Sequence, residues 1–427
     1  MRHRLSLKYF SVCLIAVWFL AFTAMSTASE TELYSFQSGS DGGAPVGGLI
    51  HGPNGSFYGT AEAYGAYSSG VVYQLLPPAH RGGAWTERVL YAFKGGNDGS
   101  RPYSDLVRDS AGNLYGVTYY GGGVDDFGTV YEVSPNAKTG VWSEKVIYAF
   151  QGPGVGDGFA PNGGLYLSST GALYGTTVYG GASDFGTVFE LSPPSQSGGA
   201  WTEKVLYSFT GGADGSEPFA GLIRSSGGVL YGTTALGGTY NLGTVFSLSE
   251  TGSTWSEAVL HSFAGGASDG NGPESALYLD SHGNLFGTTP VGMGVECSGG
   301  VSGCGMAFEL SRVESGDWPE TILYTFQGGN DGSQPQGRLT SNGKGTFWGT
   351  TLSGGGAYCD NTVGYGCGTV FRLAEVAGVW TETVLYAFQG GTDGEAPDSG
   401  VVSLNGKLYG TTNLGGSTGA GEIFAIP

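Results

Sequence analysis

A chain of 427 residues with 83 glycines and 17 prolines would be low-complexity if those residues fell without order, but 40% hydrophobic and 13% aromatic content excludes a disordered polymer. A formal charge of −19, carried by only 12% charged residues, argues against nucleic acid and anionic membrane surfaces as partners.

The first element is a leader. MRHRLSLKYF is basic, SVCLIAVWFLAFTAM is apolar, and STASE offers the small residues a signal peptidase needs. Residues 1–28 read as a secretory signal cleaved after Ala28, which removes Arg2, Arg4 and Lys8 and no acid. The apolar run is near the lower limit for a spanning helix, and its small-residue exit favours cleavage over anchoring. Cys13 lies inside that run, in the wrong context for a lipoprotein site. The protein is expected outside the cell or in the periplasm, with no membrane span after cleavage.

Residues 29–427 then repeat one phrase, aromatic-Gly-Thr, seven times: FYGTA at 57, LYGVT at 114, LYGTT at 173 and 230, LFGTT at 285, FWGTT at 347 and LYGTT at 408. A period near 60 residues, with strand-like alternation and no helical pattern inside it, indicates radial or solenoidal β repeats. Each unit holds four strand candidates. In the third these are Gly164 to Leu167, LYGTT, GTVFEL and WTEKVLYSF, with Trp201, Val205, Tyr207 and Phe209 expected on one face of the last. Six units carry the fourth strand with its W-x-E opening, at Trp85, Trp142, Trp201, Trp255, Trp318 and Trp380, whereas the seventh stops at GEIFAIP. The missing strand is found at the other end, as TELYSF at 31–36. The predicted fold is therefore all-β: a single seven-bladed β-propeller with four antiparallel strands per blade. Residues 393–427 plus strand 31–36 form the last blade, which hides an otherwise open edge.

The run L-Y-G-T-T, G-G, G-T-V-F and W-x-E-x-V-L-Y-x-F resembles the GloVer tandem repeat of secreted bacterial proteins over essentially all of residues 31–427. The resemblance implies an extracytoplasmic repeat protein with no established activity. Family members often carry a C-terminal anchor, and the last strand running to Pro427 argues against surface attachment here. A Gly-Gly followed by an aromatic and Trp also looks like kelch, with a poorer fit in spacing.

In a propeller the turn into each blade and the loop between its second and third strands emerge on one face. The turn carries Asp-Gly-x-x-Pro in all seven units, at Asp41, Asp98, Asp157, Asp214, Asp269, Asp331 and Asp393. Turn chemistry alone explains it: Asp bonds its own turn, Gly takes positive φ, and Pro fixes strand entry. The sharper alternative is a ring of carboxylates at the channel mouth. No metal site is expected, because nothing matches the denser spacing of a calcium loop. The loop between strands two and three varies where the strands repeat, and it would display Tyr64, Tyr67, Tyr120, Tyr179, Tyr240, Asp126 and Asp184 as ligand-binding candidates. The competing reading is that these tyrosines pack against neighbouring loops.

In units five and six the same loop is longer and holds Cys297 and Cys304, then Cys359 and Cys367, which read as two disulfides. Local pairs are favoured, with a crossed pairing between the loops as the alternative. His51, His80, His261 and His282 have no nucleophile pattern around them, and no G-x-S-x-G, H-E-x-x-H or P-loop occurs. No catalytic residue and no cofactor is expected. The reading is a monomeric, secreted, non-enzymatic binding module for a carbohydrate, cell-wall polymer or protein. An extracytoplasmic glycosidase or polysaccharide lyase and a purely structural envelope protein are the alternatives.

Overall fold

The computed structural model describes residues 29–427 apart from 197, 267, 293–295, 298–300, 357–358 and 360–365. The expected signal segment, with Cys13, lies outside the described residues. Seven four-stranded antiparallel sheets follow one another along the chain and form the blades of a β-propeller. Blade three runs Tyr166–Leu167, Leu173–Thr177, Thr187–Ser192 and Thr202–Ser208 from the channel outward. Blade seven runs Val402–Leu404, Lys407–Thr412 and Glu422–Ile426, and its outer strand is Thr31–Ser35. Thr31 stands opposite Ala425 and Ser35 opposite Glu422, so the N-terminal strand closes the ring.

The repeated phrase has a physical cause at each letter. In LYGTT the glycine lies directly across from the aromatic of the third strand, Gly175 opposite Phe189, and a Cβ on Gly175 would meet the Phe189 ring at 2.6 Å. The aromatic before the glycine packs on the tryptophan of the next blade, as Tyr58 does on Trp142 at 6.1 Å and Tyr115 on Trp201 at 6.0 Å. The first threonine donates to the innermost segment of the next blade, Thr176 to the carbonyl of Ala220 at 2.9 Å, while the second pairs within its own blade, Thr177 with Thr187 at 2.8 Å. Two adjacent threonines on opposite faces of one strand thus serve two different blades.

The fourth strand departs from simple alternation. Leu206 is an extra residue in the ladder, so Val205 stands opposite Phe189 and Tyr207 opposite Val188. Val205 and Tyr207 therefore point to opposite faces, against the expectation of a shared one, because a bulge reverses the alternation beyond it. Trp201 packs toward blade two, with Tyr115, and Tyr207 packs toward blade four. One strand thereby serves both neighbours.

Blade contacts repeat around the ring. The phenylalanine ending each fourth strand meets the third-strand aromatic of the next blade edge-on, as Phe150 does Phe189 at 5.2 Å and Phe209 does Phe246 at 5.2 Å. Phe36 meets Tyr73 the same way at 5.3 Å, so the seam between last and first blades is built like the others. Cys297 pairs with Cys304 and Cys359 with Cys367, the local connectivity. No helix among the described residues is long and apolar enough to cross a membrane.

Candidate functional site at the channel mouth

The residue before each turn proline sets the geometry of one face. Ala44, Arg101, Ala160, Glu217, Gln334 and Ala396 all take φ between 53° and 59°, and Gly272 takes 64°. Left-handed backbone is disfavoured for side chains, and more so before proline. Six of these residues are held from both sides, and Gly272 is held through its N–H, because the residue facing its carbonyl is Pro290, which has no N–H. The N–H of Arg101 donates to Ser69 of the preceding blade's loop at 3.0 Å, and its carbonyl accepts from Tyr119 of its own blade's loop at 3.1 Å. Glu217 does the same between Phe185 and Ala235. The turn and the long loop therefore share one face, as expected.

The turn aspartates point away from the channel. Asp41 accepts from the Tyr34 hydroxyl at 2.9 Å and from the Gln37 N–H at 2.7 Å, and Asp98, Asp157, Asp214, Asp331 and Asp393 repeat this with Tyr91, Tyr148, Tyr207, Tyr324 and Tyr386. These tyrosines belong to outer strands, so the aspartates sit between blades rather than around the mouth. The glutamate of the next W-x-E completes each group. Burial first, and then the charge of Asp41, Asp157 or Asp331, pushes Glu87 up to about 8, Glu203 to about 7 and Glu382 to about 8. In one gap histidine replaces tyrosine. His261 lies 3.2 Å from Asp269 and 3.8 Å from Glu320; burial alone would lower its pKa, but the bond to Asp269 and the two negative charges raise it. Asp269 is already held by the N–H groups of Ala264 and Gly270. The sequence signal for this group was HSF where other units read YxF, a substitution read only as an isolated histidine.

The mouth is lined by the residue following each proline, a position the sequence reading passed over. Val46, Tyr103, Asn162, Phe219, Glu274, Gln336 and Asp398 surround a cavity of about 340 Å³, which opens into a channel of about 810 Å³ walled by the first strands of blades one to six. Seven equivalent sites hold seven different side chains, where the flanking residues repeat. Asp398 is half-buried, and burial, then the charges of Glu274 and Glu62, push it up to about 6. Glu274 reaches solvent yet is crowded by protein; burial raises it, the hydrogen bond from Gln336 at 3.3 Å lowers it, and Glu217 raises it.

An aromatic strip runs out from this mouth across blades two and three. Tyr103 meets Tyr119 at 5.7 Å, Tyr119 meets Tyr120 at 4.8 Å, and the Arg101 guanidinium lies 5.6 Å from the Tyr120 ring centre. Phe127, Phe159 and Tyr179 continue it at 5.2 and 5.3 Å. Tyr179 lies near Tyr119, Tyr120 and Glu217, and burial first, then the charge of Glu217, raises its pKa. Of the sequence candidates, Tyr120 and Tyr179 are thus brought together, and Tyr64, Tyr67 and Tyr240 stand exposed on blades one and four. Asp126 and Asp184 accept from the N–H groups of Gly121 and Gly180 in their own loops at 2.6 and 3.0 Å, at φ of 59° and 65°, which gives each a local turn role. Arg101, Tyr103 and Glu217 stand at variable positions in and just after the turn and Tyr119 in the loop, where no repeated residue type marks them in the sequence.

Solved structures with this architecture are distant in sequence. A protein from Bacteroides uniformis assigned as a 6-phosphogluconolactonase aligns with a TM-score of 0.50 at 15% identity, over 78% of this chain and 83% of its own. A ulvan lyase, from a family of polysaccharide lyases, aligns with a TM-score of 0.50 at 10% identity over 90% of this chain and 92% of its own. At such identities the likeness is one of fold. No curated protein matches the chain. The Gloeobacter/Verrucomicrobia repeat matches three times, over residues 20–167, 139–296 and 292–427. Those three matches together span all seven blades around the channel mouth, and the chain belongs to the Gloeobacter/Verrucomicrobia repeat family.

Proposed function

We propose that the protein works outside the cytoplasm as a glycan-binding propeller, holding a polysaccharide across the strip from Tyr179 through Tyr120 and Tyr119 to Tyr103 and into the acidic mouth. The observation that carries this reading is the continuity of the strip with the mouth. Aromatic faces stack on the C–H faces of sugar rings, while carboxylates and amides accept and donate to their hydroxyls. Glu62, Glu217, Glu274 and Asp398 give the mouth a surplus of negative charge, which favours a neutral or amino-bearing glycan over a uronate. Two disulfides suit an oxidising compartment.

One observation favours hydrolysis as a second reading: Asp398 carries a raised pKa beside Glu274 at the mouth, as a general acid beside a second carboxylate requires. A single experiment addresses both readings. Purified protein is screened against neutral, amino and uronate polysaccharides, by binding and by release of reducing ends. Binding that falls at least tenfold in Tyr119→Ala and Tyr179→Ala, with folding intact, supports the strip. Binding unchanged in both overturns it. Reducing ends that vanish in Asp398→Asn identify an enzyme.

A further inference from the structure

The last blade carries an acid where most other blades carry a threonine, on the side that faces blade six. At the start of the third strand, blades two, three, four and six place Thr129, Thr187, Thr244 and Thr369, each paired with the last threonine of the repeated phrase at 2.7 to 2.8 Å. Blade seven places Glu422 there. Its side chain is 0% exposed, and both carboxylate oxygens lack a hydrogen-bond partner among the described residues. The Gly394 N–H lies near enough to favour the ionised form, but the contact falls short of normal hydrogen-bond geometry. A buried carboxylate left in this state costs several kcal/mol, so the site needs a counter-charge or a proton.

Glu422 is aimed into a group of acids. One oxygen each from Glu30, Asp393 and Glu422 lies within 4.8 Å of the others. Among the described residues Glu30 Oε1 is also buried without a partner, and the bonds that Asp393 accepts from the Tyr386 hydroxyl and the Gln389 N–H both end on Oδ2. Among the described residues no base forms an ion pair with any of the three. Glu30 and Asp393 belong to the set found between all blades; Glu422 is the addition, and it turns a pair of acids into three. Glycine at 394 leaves the space open, because a Cβ there would meet Glu422 Oε1 at 2.7 Å.

We infer that Glu30, Asp393 and Glu422 form a site for a hard divalent cation, calcium by preference, which ties the N-terminal strand to the last blade. The donors are all carboxylate oxygens, the set that calcium takes and that softer metals, which prefer nitrogen or sulfur, do not select. A doubly charged ion nearly neutralises three carboxylates, with water completing the shell. The ion bridges Glu30, from one end of the chain, to Asp393 and Glu422 from the other.

The test begins with purified protein stripped by a chelator and titrated with terbium, whose emission is sensitised by a nearby tyrosine; Tyr386 is 2.9 Å from Asp393. The expected result is one saturating equivalent, displaced by calcium, together with a calcium-dependent rise in Tm. Glu422→Thr restores the residue used in other blades; it should weaken terbium binding at least tenfold and remove the calcium response of Tm. Should that variant fail to fold, Glu30→Gln, nearer the rim of the seam, must weaken binding by the same factor. Folded wild-type protein that binds neither ion overturns the inference and leaves a proton as the balancing charge. Binding undiminished in both variants also overturns it by placing the ion elsewhere. The glycan reading does not enter this experiment, so the two can fail separately.

Discussion

The N–H of Ser417 donates to Oγ of Ser35 at 2.7 Å, joining residues 382 positions apart in the chain. Around it the Phe36 N–H donates to the carbonyl of Gly421 at 3.1 Å, and the Thr418 hydroxyl donates to the carbonyl of Phe36. The ring is held shut by contacts that can form only when both ends of the chain are in place. Phe36→Ala, which empties the fully buried pocket against Tyr73, should cost about 3–5 kcal/mol in urea unfolding. Loss under about 1 kcal/mol would mean that the seam is not part of the cooperative unit.

Tyr131 is fully buried, and its hydroxyl has no hydrogen-bond partner among the described residues, at the position where blades three to seven have phenylalanine. Tyr131→Phe should raise stability by roughly 1 kcal/mol, since a buried hydroxyl without a partner is a net cost. Urea midpoints at constant slope would measure it, and a loss of stability would show that the hydroxyl is satisfied in solution.

The glutamates between blades make stability depend on pH. Glu87, Glu144 and Glu382 are pushed up to about 8 and Glu203, Glu257 and Glu320 to about 7, by burial first and then mainly by a facing aspartate. A carboxyl whose folded pKa lies above its unfolded value favours the folded state when protonated. Its contribution is complete below about pH 4.5 and is lost as pH rises through 7 to 8. His261, also raised, changes in the same direction. Calorimetry should therefore give a higher Tm at pH 5.5 than at pH 8.5. Glu203→Gln, which faces Asp157 and Tyr148, should flatten that slope, and an unchanged slope would remove Glu203 from the account.

Burial, then the charges of Glu274 and Glu62, push the Asp398 carboxyl up to about 6, so a ligand that uses its ionised form should bind more tightly as pH rises from 5 to 7, and one that uses its proton should do the reverse. Asp398→Asn should abolish that dependence. A binding profile that keeps its shape in the variant would place the titrating group elsewhere.

The ring was legible because its constraints repeat. Glycine opposite an aromatic, two threonines serving two blades, and tryptophan against the neighbouring tyrosine all leave a mark in every unit, as at Gly175, Thr176, Thr177 and Trp201. The N-terminal strand was legible for the same reason: TELYSF completes a phrase that GEIFAIP leaves unfinished. The bulge at Leu206 was hidden because inserting one residue into an alternating apolar run leaves it apolar. The mouth was hidden for the opposite reason. Tyr103, Glu274 and Asp398 share a structural position but no residue type, so a search for sameness passes over them. Arg101 and Glu217 were obscured by adopting a backbone region that residues before proline normally avoid.

The bonds that hold the left-handed residues before each proline are all main-chain bonds, from Ala44 round to Ala396. They make a hoop of peptide groups that runs from loop to loop, interrupted where Pro290 has no N–H to offer Gly272, and asks nothing of the side chains it carries. The next residue inward from that hoop can be exchanged blade by blade without disturbing those main-chain bonds, while Glu274, Gln336 and Asp398 also act on one another. A new ligand specificity at the mouth is then reachable through single substitutions that leave the hoop itself as it was.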